Sequence, residues 1–65
     1  MFTTIIFNGV LKVVQLMRYR NNQIVARIYN PRESVPERIL DVDMKGRMLD
    51  DETGKVYKID TRLAA

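Results

Sequence analysis

Cysteine and histidine are both absent from this 65-residue chain, and each absence closes off a class of structure. Without cysteine there is no disulfide, and without either residue the usual zinc ligand sets cannot be assembled. The most versatile acid–base side chain and the most nucleophilic one are missing together. Catalysis would have to rest on carboxylates, Lys, Tyr, Ser or Thr, so the chain is read as non-enzymatic, with no cofactor. A long apolar run is lacking too: the stretch from Met1 to Met17 is too short to span a bilayer and is broken by Asn8, Gly9 and Lys12. It has neither the basic leader nor the cleavage site of a signal peptide, and the expectation is a soluble, cytoplasmic protein without membrane association.

Acids are missing from the front of the chain. Residues 1–32 carry five basic side chains (Lys12, Arg18, Arg20, Arg27, Arg32), while all eight carboxylates lie between Glu33 and Asp60. Such asymmetry points to an anionic partner. A chain this small buries only about 60% of its unfolded surface, and with no disulfide or metal to supplement the core, oligomerisation, most simply a homodimer, is the expected support.

Turn residues divide the sequence into pieces of strand length. Asn8-Gly9 is a strong two-residue hairpin signal, because a type I′ turn needs positive φ at both central positions. Asn21-Asn22 reads as a weaker version of it. With two such turns, residues 2–7, 10–20 and 23–30 form a three-stranded meander. Pairing outward puts Leu11, Val13, Met17, Ile24 and Ile28 together on a core face, and every charge of the strands on the other. A competing reading makes residues 10–20 a helix, since apolar pairs recur there every three residues. The Val content and Gly9 argue for strand.

Residues 31–37 are a connector with two prolines, in which Ser34 and Glu37 have the spacing to cap one helical turn. Leu40, Val42 and Met44 then alternate with polar residues as a strand, and a last hairpin turns at Glu52-Thr53-Gly54. Residues 38–60 thus make a strand plus hairpin, with 61–65 a tail. The expectation is one all-β domain over residues 1–65, a small five- to six-stranded antiparallel barrel of the SH3-like or OB-like kind. That barrel would close its C-terminal hairpin over Ile5, Phe7, Val10, Val14, Leu16 and Val25, the alternative being a second subunit that covers them.

Two local patterns fail as sites. Thr53-Gly54-Lys55 lacks the earlier glycine of a phosphate loop, and Asp50-Asp51-Glu52 lacks the alternating spacing of a calcium loop and reads as a solvated turn. The arginines carry more. Lys12, Arg18, Arg20, Arg27 and Arg32 with Tyr29 form a candidate nucleic-acid-binding set, the guanidinium groups pairing with phosphates and the tyrosine offering a stacking surface. The expected partner is nucleic acid, RNA or DNA, and the alternative is an acidic protein surface docked by a small interaction module.

Asn22-Gln23, the alternating Ile24, Ala26 and Ile28, and Pro31-Arg32-Glu33 resemble the third strand and following proline turn of the small carbon-storage-regulator RNA-binding proteins. The chain lacks that family's Leu-Thr-Arg start, and its back half reads as a hairpin where the family has a helix. No membership is assigned.

Overall fold

The computed structural model describes residues 2–64. Six strands, β1 (Phe2–Phe7), β2 (Val10–Arg18), β3 (Ile24–Tyr29), β4 (Arg38–Val42), β5 (Arg47–Leu49) and β6 (Val56–Lys58), form one antiparallel sheet in chain order, followed by a 3-10 turn at Thr61–Leu63. The sheet curls into a half-barrel, the small β-barrel architecture expected. Residues 10–18 are strand, not helix, and no helix among the described residues is long and apolar enough to cross a membrane.

Asn8 and Gly9 take φ of 53° and 78°, and Phe7 pairs with Val10 across them, so the first turn is the two-residue one expected. The second is not. The Tyr19 N–H donates to the Gln23 carbonyl at 2.8 Å, the Asn22 N–H donates to the Tyr19 carbonyl at 3.0 Å, and Asn22 is left-handed at φ 64°. Arg20, Asn21 and Asn22 therefore make a three-residue loop. Arg18 then faces Ile24, where a two-residue turn would have set Tyr19 opposite it. A one-residue slip turns β2 over relative to β3.

The expected core changes accordingly. Phe7, Val14, Leu16, Ile24, Ala26 and Ile28 line the concave side with Leu40, Val42 and Met48, whereas Leu11 is 51% exposed and Val13 and Met17 are half-buried on the convex side. Ile24 and Ile28 stay in the core because only β1 and β2 exchange faces.

Closure over Phe7, Val14 and Leu16 comes from the C-terminal hairpin, as expected, whereas Val10 is left 54% exposed and Val25 lies on the convex side. The Phe7 and Tyr57 rings lie 4.8 Å apart, and Leu63 and Ala64 pack beneath. Residues 31–37 contain no helical turn. They open with a turn in which Pro31 is followed by left-handed Arg32 (φ 71°), closed by the Glu33 N–H on the Asn30 carbonyl. Pro36 has no N–H to give a helix, and the Glu37 N–H donates instead to the Ile28 carbonyl. Met44 lies outside β4, in a second three-residue loop closed by the Gly46 N–H on the Asp43 carbonyl. The last hairpin turns through four residues, 51–54, rather than three. The strand and proline turn of the local resemblance are present, and three strands follow them.

Candidate functional site

The register distributes the sequence-predicted residues over both sides of the sheet, so the single basic face expected does not form. Lys12 points inward. It is buried, its Nζ lies 2.7 Å from Glu37 Oε2, and it also donates to Asn30 Oδ1. Arg18 shares the concave side, about 20 Å along β2, where it lines an open depression with Ile24, Val42, Asp43 and Thr61. Arg20 is exposed in the three-residue loop, and Arg32 is exposed in the turn beyond β3. Only Arg27 and Tyr29 of the set stand together, half-buried on the convex side.

That convex side is largely apolar. Pairing aligns Phe2, Gln15, Arg27 and Ile39 in one row, Met17, Val25 and Asp41 in a second, and Ile6 with Leu11 in a third. Leu49 and Val56 continue it on the last hairpin. Phe2 and Ile6 are each 61% exposed, and Ile39, Leu49 and Val56 are exposed to nearly the same degree. The side chains alternate as a sheet requires, but here both alternating sets are apolar, the pattern of a sheet covered on both sides.

Arg27 sits in the middle of this surface. Tyr19, which contributes most, and Tyr29 lift its guanidinium above the ordinary arginine pKa. The Tyr29 hydroxyl donates to Gln15 Oε1 at 3.0 Å, and Arg27 Nε is shielded from solvent with no hydrogen-bond acceptor among the described residues. A shielded donor without an acceptor costs about 1–3 kcal/mol.

A second polar cluster went unforeseen. Asp50, expected in a solvated turn, is fully buried, accepting from Arg38 Nη2 at 2.9 Å, Asn8 Nδ2 at 3.3 Å, Thr53 Oγ1 at 3.1 Å and the Glu52 N–H at 3.1 Å. Asp51 and Glu52 reach the same guanidinium, each at 3.1 Å. Burial works against the Asp50 charge, but the donors prevail and hold its carboxyl below the usual range. These acids are taken up by Arg38, and the cluster ties β1–β2 to β4 and the last hairpin. Its only sequence signal is the Asn, Asp and Thr at turn positions, which suit side-chain hydrogen bonds to nearby backbone.

Compared with family models, with curated proteins and with solved structures, the chain matches none.

Proposed function

We propose that this chain is a non-catalytic protein-interaction module of the cytoplasm, docking its convex sheet face onto a partner that supplies apolar side chains and a carboxylate. The carrying observation is Arg27, a half-buried guanidinium beside Tyr19 and Tyr29, set among exposed apolar side chains with its Nε lacking an acceptor among the described residues. Lys58 stands on the same side opposite Arg47, whose guanidinium is already paired with Asp43 at 2.8 Å, and Asp41 is the acid of the rows about Arg27. A second copy laid face to face would set like charges against each other, whereas an acidic partner complements them.

The supporting test compares captures from nuclease-treated native lysate by the parent chain, Arg27→Glu, Ile39→Asp and, as an off-face control, Val35→Asp. The captured protein is then purified and rebound. An acidic protein held by the parent and Val35→Asp but lost by the other two is the expected result. Equal capture by all four overturns the reading.

One observation favours nucleic acid as the second reading: Arg27 lies beside Tyr19 and Tyr29, with exposed Phe2 in its row, an aromatic and guanidinium platform for unstacked bases. Under it, binding to a single-stranded oligonucleotide weakens with salt, and Arg27→Gln flattens the log–log slope by roughly 0.7 units. Capture abolished by nuclease would select this reading.

A further inference from the structure

β1 is an edge strand without edge protection. Natural edges are blunted by charge, proline, bulges or shortness, and β6, at the other edge, is three residues long and flanked by Lys55 and ended by Lys58. β1 is six residues, Phe-Thr-Thr-Ile-Ile-Phe, with no charge, proline or glycine. It pairs with β2 at every position, so no bulge bends it away. Beyond that ladder, no backbone hydrogen bond among the described residues engages it.

The first turn settles which groups face outward. Residues flanking a two-residue hairpin turn form a hydrogen-bonded pair, and bonding then alternates along the strand. Phe7, Ile5 and Thr3 thus bond to Val10, Lys12 and Val14, and the N–H and C=O groups of Phe2, Thr4 and Ile6 point to the free edge.

We propose that β1 pairs antiparallel with β1 of a second copy about a two-fold axis at Thr4, joining two half-barrels into one continuous sheet. A two-fold continuation keeps convex side beside convex side, so partners share parity. The register that engages all three outward-facing residues sets Thr4 opposite Thr4 and Phe2 opposite Ile6, twice. Each of the four exposed apolar side chains then gains an apolar neighbour. No charge opposes another, because the strand has none. Phe2 and Ile6 belong to the convex side as well, but pairing through the edge backbone leaves that side facing outward in both copies, so the dimer neither requires the proposed docking function nor blocks it.

Sedimentation equilibrium of the purified chain at micromolar concentration tests this. The parent is expected to sediment at about twice the 7.6 kDa chain mass. Thr4→Pro removes one outward N–H and none from the β2 ladder, and is expected to be monomeric with the parent's far-ultraviolet circular dichroism. Thr4→Lys and Thr4→Glu place like charges across the axis. Each is expected to be monomeric alone, and a one-to-one mixture to recover the dimer. A monomeric parent, or a Thr4→Pro chain that dimerises like the parent, would overturn the proposal. A mixture of the charged variants that stays monomeric would overturn the Thr4-centred pairing.

Discussion

Tyr57 and Asn8, 49 positions apart, hold each other by two hydrogen bonds: the tyrosine hydroxyl accepts from the Asn8 N–H at 3.1 Å and donates to Asn8 Oδ1 at 3.0 Å. This exchange fastens the first turn to the last hairpin across the mouth of the half-barrel, while the Tyr57 ring rests on Phe7. Tyr57→Phe keeps the ring and loses the hydroxyl, so it should cost about 1–3 kcal/mol in urea denaturation. A larger loss is expected for Asn8→Ala, which also severs the contact to Asp50 and puts alanine at a φ of 53°. No loss from either variant would place the closing strength in the ring alone.

The register is tested by two leucines of β2. Leu16 is fully buried and Leu11 is half exposed on the opposite side. Leu16→Ala should cost about 2–5 kcal/mol, and Leu11→Ala much less, roughly 1 kcal/mol or below. Thermal midpoints of the two variants compared directly would show the opposite ranking if β2 were turned over.

Gly46 has a positive φ of 78°, and a Cβ built there would lie 2.4 Å from the backbone oxygen of Ile59. The same residue accepts the Ile59 N–H at 2.7 Å, so the close approach is part of how the C-terminal segment is tied down. Gly46→Ala should destabilise by more than the roughly 1–2 kcal/mol of left-handed strain alone. At Gly9 nothing lies within 4 Å of such a Cβ, so Gly9→Ala should show the strain without the collision. Equal denaturation midpoints would mean that the Ile59 segment moves aside freely.

Acid should unfold the protein through three aspartates. The Arg47 backbone N–H, followed by its side chain and the Lys45 N–H, holds Asp43 below its ordinary pKa. The donors around Asp50 do so against burial, and the Arg62 side chain and N–H draw Asp60 down to about 2. Each folded value lies below the unfolded one, about 3.9. The stability they contribute is therefore whole above the unfolded value and is lost as pH falls through the folded values. Urea midpoints should decline from about pH 4 toward pH 2, less steeply in Asp50→Asn. A flat profile over that window would contradict the linkage.

The strands, the Asn8-Gly9 turn and the closing role of the last hairpin were legible because turn chemistry and β-favouring residues agree there. The turn at residues 20–22 was not. Asparagine tolerates the left-handed region in two-residue and three-residue loops alike, and β2 has apolar side chains on both sides, so periodicity could not say which side was inner. The candidate basic face inherited that ambiguity, which is why Lys12 is an interior ion pair while Arg27, on β3, stays on the convex side. Nothing in the sequence joined Arg38 to Asp50, since their meeting depends on the curl of the sheet.

The three-residue loop at 20–22 also bears on how such a chain can diverge. Its count of residues decides whether odd or even positions of the next strand look inward, so a single deletion there would exchange Ile24, Ala26 and Ile28 with Val25, Arg27 and Tyr29. Substitutions in the loop leave that assignment alone, provided position 22 still accepts φ near 64°. Descendants of this sequence can change the loop's letters freely but its length only in steps of two, or with a compensating change before the next strand. In the connector at 31–37, which no tight ladder turn locks, single-residue changes carry no such penalty.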